Sequence, residues 1–139
     1  LQGGKGDDTV FGGKGDDRLL GMSGNDHLIG EAHHDHLSGK SGDDILEGQR
    51  GIDTLNGGSG DDLLTGGAGK DLFILSEGAD TITDFKLRKG RGDQLEIKTD
   101  VPLTFLQNGD DLTIQSEDGI NTTLLGINKE SFLKHAQFI

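Results

Sequence analysis

From Gly3 onward the chain places one apolar residue at every ninth position: Val10, Leu19, Leu28, Leu37, Leu46, Leu55, Leu64, Phe73 and Ile82. That is too sparse for the stripe of an amphipathic helix, which needs about three to four apolar residues per two turns, and it lacks the alternation of a long strand. The pattern predicts a turn followed by a very short strand. Counting each unit from its first glycine, places one to six turn and places seven to nine extend, with only place eight facing inward; Thr9-Val10-Phe11 is one such strand. Glycine at places one and four permits the positive φ that a tight turn needs. Two units make one coil of eighteen residues, and successive coils stack as parallel strands around a narrow apolar seam. The nine units of residues 3 to 83 predict about four and a half coils.

The same frame aligns two further columns. Place six is aspartate in every unit: Asp8, Asp17, Asp26, Asp35, Asp44, Asp53, Asp62, Asp71 and Asp80. Place four is Gly6, Gly15, Gly24, Gly42, Gly51, Gly60, Gly69 and Gly78, broken by His33, and place two is glycine at Gly4, Gly13, Gly58 and Gly67. In an extended turn the carbonyls of places one, three and five face one neighbouring coil, and those of two, four and six face the other. Each turn is a two-sided cup of oxygens. Between one unit and the next but one, three carbonyls from one side meet two carbonyls and the sixth-place carboxylate from the other, a set of about six hard oxygens that suits calcium better than magnesium. The nine aspartates and the twelve glycine carbonyls of places two and four are therefore the candidate metal ligands. Pairing each unit with the next but one gives about seven calcium ions.

Composition supports a cation. The chain carries 25 acidic against 13 basic residues, a formal charge of -12, with only 30% hydrophobic residues and 25 glycines in 139. So polar and self-repelling a chain folds poorly alone. The acidic balance excludes nucleic acid as a partner, and no apolar run is long enough to span a membrane. There is no cysteine, so neither disulfides nor a thiolate metal site enter.

Four units, GGKGDDTVF, GGKGDDRLL, GGSGDDLLT and GGAGKDLFI, meet GGxGxDxUx in full. On these residues the chain resembles the RTX (repeats-in-toxin) nonapeptide family. The resemblance implies an all-β fold, a right-handed parallel β-roll that folds on calcium, export by type I secretion machinery, and an extracellular location. The stretch DTITDFKLRKGRGDQLEI, residues 80 to 97, resembles the family's passage from last repeat to C-terminal cap, and Asp93 within it resembles a calcium-side residue. Met22, Glu31, Lys40 and Gln49 depart from the motif at place two, and His33 at place four.

After residue 83 the period gives way to alternation: Leu95 and Ile97, Leu103 and Phe105, Leu112 and Ile114, then Leu124 and Leu125. These read as antiparallel strands, with hairpins at Asn108-Gly109 and Asp118-Gly119. A short helix follows Asn128 as N-cap, with Phe132, Leu133 and Ala136 on its apolar side. Residues 84 to 139 form a small antiparallel cap over one end of the roll, and the resemblance adds a secretion signal in its tail. Leu1-Gln2 fall at places eight and nine of a unit, so the chain reads as a fragment whose effector region lies upstream.

His27, His33, His34 and His36 suggest a transition-metal cluster, but His27 and His36 occupy place seven of consecutive units, on opposite sides of the roll. Gly39-Lys40-Ser41 imitates a phosphate-binding loop and Arg91-Gly92-Asp93 an integrin tripeptide; repeat register and the start of a cap strand account for them. Lys86, Arg88, Lys89 and Arg91 form the basic run that could hold an anionic polysaccharide. No catalytic constellation appears, so the expectation is a non-enzymatic module for calcium-triggered folding and secretion. The alternative is a carbohydrate-binding accessory module of a secreted polysaccharide-modifying enzyme.

Overall fold

The computed structural model describes residues 1–88, 91–135 and 137–138. It is an all-β parallel solenoid of about 5 turns with antiparallel cap strands and a short C-terminal helix. One sheet stacks β1 (Gln2–Lys5), β3 (Arg18–Ser23), β5 (His36–Ser41), β7 (Thr54–Ser59), β9 (Leu72–Leu75), β11 (Gln94–Ile97) and β15 (Gln137–Phe138) in that order. The other stacks β2 (Thr9–Lys14), β4 (His27–Ala32), β6 (Ile45–Arg50), β8 (Leu63–Thr65) and β10 (Thr81–Ile82), then β14 (Asn121–Leu124), β13 (Asp111–Gln115) and β12 (Thr104–Asn108). Repeat strands pair in parallel with the unit two further on, as in Leu19↔Leu37 and Leu28↔Leu46, so two units make each coil.

Place eight builds the core: Leu19, Leu28, Leu37, Leu46, Leu55, Leu64, Phe73 and Ile82 are all buried. Burying one such side chain is worth roughly 1.5–3 kcal/mol. The strands differ from the three-residue expectation. β2 to β7 each run six residues, continuing through places one to three of the following unit. Place one therefore faces inward as well, and Gly21, Gly30, Gly39, Gly48, Gly57 and Gly66 are buried.

Backbone conformation corrects a second expectation. Positive φ occurs at places two and four, not one and four: all twelve glycines named as candidate carbonyl ligands adopt it, whereas the first-place glycines do not. The departures from the motif are held there too, with φ of 91° at Met22, 76° at Glu31, 84° at His33 and Lys40, and 72° at Gln49. A side chain in this region costs roughly 1–2 kcal/mol per residue.

The strand of Leu95 and Ile97 is parallel, not antiparallel. β11 pairs with β9 through Leu95↔Phe73 and continues the sheet. β14 lies parallel to β10, Thr81↔Thr123, and antiparallel to β13, Ile114↔Thr122, so it joins the stack to the cap. The two expected hairpins form, with Gly109 at φ 62° and Gly119 at φ 114°.

The helix α1 spans Lys129–His135, and Asn128 Oδ1 accepts from the Ser131 N–H at 3.1 Å, as expected of an N-cap. Phe132 is buried between Phe105 and Phe85, and Phe85 in turn packs on Phe73, an aromatic chain tying the cap to the last coil. Leu133, expected on the apolar side, is 54% exposed because Phe132 alone points into the cap core. Ala136, Ile139 and Lys89 lie outside the described residues. Among the described residues no helix is long and apolar enough to cross a membrane.

Candidate metal centre

The sixth-place aspartates stand above one another in two rows of turns. From Asp26 on, each gives one carboxylate oxygen to the preceding coil of its row. Oδ1 of Asp26 accepts from the Asp8 N–H at 2.8 Å, Asp44 from Asp26 at 2.7 Å, Asp62 from Asp44 at 2.8 Å and Asp80 from Asp62 at 3.2 Å. In the other row Asp35 accepts from Asp17, Asp53 from Asp35 and Asp71 from Asp53, at 2.8, 2.8 and 3.1 Å. The second oxygen has no such partner: Oδ2 of Asp8, Asp17, Asp26, Asp35, Asp44, Asp53, Asp62 and Asp71 is buried without a hydrogen bond. A buried, unpaired carboxylate oxygen costs several kcal/mol, and here the cost recurs along the stack until the ninth unit, where Asp80 Oδ2 accepts from Ser76 Oγ at 3.3 Å.

Each orphaned oxygen borders a gap kept open by the first-place glycine. A β-carbon on Gly30 would stand 2.6 Å from Asp35 Oδ2 and 3.0 Å from the carbonyl oxygen of Gly48, the first-place glycine of the next turn in the row. On the opposite face, the fourth-place carbonyls of Gly6, Gly24, Gly42, Gly51 and Gly60 lie against the fourth-place glycines of the next turn. Carbonyls of alternate places thus point to opposite neighbours. One carboxylate oxygen and main-chain carbonyls converge between stacked turns, a hard and oxygen-only donor set that fits calcium. A cation there would supply the positive charge that the orphaned oxygens lack.

Burial dominates the electrostatics. It pushes the carboxyl of Asp80 up to about 7 and those of Asp44 and Asp71 up to about 6, opposed in each by the hydrogen bond from the preceding coil's backbone. Asp35, Asp53, Asp62 and Asp93 are raised for the same reason. Among the described residues no three His, Cys, Asp or Glu side chains lie close enough together to hold a metal ion, so the histidines form no cluster. His27 Nε2 instead meets Glu47 at 2.9 Å, and Nδ1 of His34 accepts from the Ile52 N–H at 2.9 Å.

Three features lie outside the nine-residue frame as read, although the family resemblance points to Asp93. At place five a second ladder runs in the opposite sense: Asp7, Asn25, Asp43 and Asp61 each accept from the N–H of the next turn's fifth residue at 2.8–2.9 Å. The Asp-Asp doublets carried that signal. Asp93 is a tenth member of the buried ladder, accepting from the Asp71 N–H at 3.0 Å although it stands 22 residues on rather than 18. Its burial leaves no exposed Arg91-Gly92-Asp93 tripeptide. Lys86, read as part of a basic surface run, turns inward to Asp71, Asp84 and Asp93.

The sequence matches the model of the RTX calcium-binding nonapeptide repeat (4 copies) over residues 1–28, 11–46 and 47–82. No curated protein matches it. Among solved structures, the AlgE6R2 subunit of the mannuronan C5-epimerase of Azotobacter vinelandii is 23% identical, with a TM-score of 0.55 over 79% of this chain and 88% of that one. The AlgE6R3 subunit is 18% identical, with a TM-score of 0.44 over 96% and 78%. The extracellular lipase LipA of Serratia marcescens is 17% identical with a TM-score of 0.47, and the chain, 94% covered, spans 38% of the lipase's length. At these identities the likeness concerns the fold, which AlgE6R2 shares. With its repeats matched over more than half its length, the chain belongs to the family of RTX calcium-binding nonapeptide repeats.

Proposed function

We propose that the chain is a calcium-triggered folding module of a larger secreted protein, exported by type I machinery and joined to an upstream effector region. In this reading it catalyses no reaction itself. The observation that carries the proposal is the set of seven buried Oδ2 atoms, on Asp8 through Asp62, that find neither a hydrogen bond nor an ion-pair partner within the protein. Such a stack is unfavourable without cations and favourable with them. If each site's dissociation constant is a tenth of the surrounding calcium, binding adds about 1.4 kcal/mol per site. About seven sites would then contribute roughly 10 kcal/mol, comparable with the whole stability of a small domain. The sub-micromolar calcium of a cytosol would add almost nothing, so the same chain stays unfolded before export and folds outside.

Circular dichroism of the full chain tests this. The spectrum should pass from disordered to β as calcium rises into the millimolar range, and calorimetry should count about seven ions. A β spectrum that persists unchanged in excess EGTA would overturn the proposal.

A further inference from the structure

Between the eighth turn and the cap the oxygens meet a cation supplied by the chain itself. The Lys86 Nζ donates to the carbonyl of Gly67 and stands 3.7 Å from Oδ2 of Asp71, 3.7 Å from Oδ2 of Asp93 and 3.8 Å from Oδ2 of Asp84. The side chains of Asp71 and Asp93 are 0% exposed. Backbone donors fix all three carboxylates. Asp84 accepts from the N–H groups of Gly66 and Gly67 at 2.9 and 2.7 Å, Asp93 from those of Asp71 and Lys86 at 3.0 and 2.9 Å, and Asp71 from that of Asp53 at 3.1 Å. Gly67 and Asp71 hold places two and six of their unit, the same places that offer oxygens at the other turns, and Asp93 is the sixth-place residue of the turn above.

We propose that the Lys86 ammonium is the resident cation of this junction, occupying by itself the oxygen pocket that calcium serves between the other turns, so that the last coil joins the cap without a metal ion. The inference rests on the calcium reading of the preceding turns. The ammonium already supplies the charge here: it donates to the Gly67 carbonyl and lies within ion-pair distance, 3.7–3.8 Å, of three carboxylate oxygens. The sequence accommodates it. The frame gains four residues between Asp71 and Asp93, 22 in place of 18, and that longer loop carries Lys86 back over the turn.

Amine acylation of the wild-type full chain, read by mass spectrometry, tests occupancy directly. At saturating calcium Lys86 should acylate several-fold more slowly than Lys98, whose side chain is 70% exposed, and the two should react alike in EGTA, where the chain is unfolded. Equal rates at saturating calcium would mean that the ammonium has left the pocket, and would overturn the proposal. As a second measurement, Lys86→Met should raise the calcium midpoint of folding several-fold, while Lys98→Met, which removes the same charge, should leave it in place. Equal midpoints for the two variants would also overturn it. If instead the wild type ignores calcium altogether, the calcium reading fails, and the acylation rates still report whether Lys86 is enclosed.

Discussion

Gly48 and Asp53 are so close that a β-carbon on the glycine would stand 2.6 Å from the Oδ2 of the aspartate and 2.7 Å from the carbonyl of Gly66. The glycine is thus required for space rather than for an unusual φ. Gly48→Ala should push the Asp53 carboxylate out of the gap. It should raise the calcium midpoint about as much as Asp53→Ala and remove about one bound ion in calorimetry. A wild-type midpoint for Gly48→Ala would show that the carboxylate can step aside without losing the ion.

Asp62 and Asp35 make the same backbone bond, yet their turns differ. Asp62 sits with Gly58 and Gly60 at the two left-handed places, whereas Asp35 sits with Glu31 and His33, both strained at positive φ. The strained turn should hold its ion less tightly. Asp62→Ala should therefore raise the calcium midpoint more than Asp35→Ala. The reverse order would mean that the turn bearing His33 contributes ligands of its own.

Relieving left-handed strain should help folding. Lys40→Gly and Gln49→Gly each remove roughly 1–2 kcal/mol of strain against roughly 0.5–1 kcal/mol of added chain entropy. Both variants should fold at slightly lower calcium than the wild type. Gly58→Ala, which puts a β-carbon against the Lys40 carbonyl at φ 111°, should need more. A midpoint that rises in the glycine variants would show that these side chains stabilise the turn.

Acid should partly replace calcium. The carboxyls of Asp80, at about 7, and of Asp44 and Asp71, at about 6, lie above the ordinary 3.8 because burial disfavours their charge. Groups raised in the fold favour it when protonated. That contribution is complete below about pH 4 and is lost as the pH rises through about 6 and 7. In calcium-free buffer the β signal should grow as the pH falls across this window, and calcium binding near pH 6 should release protons. A calcium-free spectrum that is flat over the same range would contradict this.

The cap should control the whole stack. Phe132 is fully buried and bridges Phe85 and Phe105, so Phe132→Ala should cost about 3–5 kcal/mol. Deleting residues 95 to 139 exposes the edges of β9 and β10 and should leave the repeats disordered at calcium levels that fold the full chain. Equal calcium midpoints with and without the cap would show that the coils nucleate alone.

The nine-residue frame made the stacking, the inward column and the aspartate ladder legible, because each repeats a side chain with its own chemistry. The first-place glycine has none, so the inward half of each strand it occupies gave no apolar signal and the strands read three residues too short. Left-handed φ at Met22, Glu31, Lys40 and Gln49 was hidden for the opposite reason: tertiary stacking holds those side chains where their own preference would not. Asp93 and Lys86 escaped the frame because a longer loop shifts them out of the nine-residue count, and only in three dimensions do they rejoin the row.

The two rows of turns are unequal edges. Along one, Asp7, Asn25, Asp43 and Asp61 hand an acceptor from each turn to the next as far as Ala79. Along the other, Asp16 and His34 do so only as far as Ile52, whose side chain has no acceptor to offer Lys70. The roll is built like a book: both edges keep the sixth-place ladder, but only the Asp43 edge carries a second row of stitches along its whole length. As calcium is withdrawn it should open along the Ile52 edge, with the Asp43 edge as the spine.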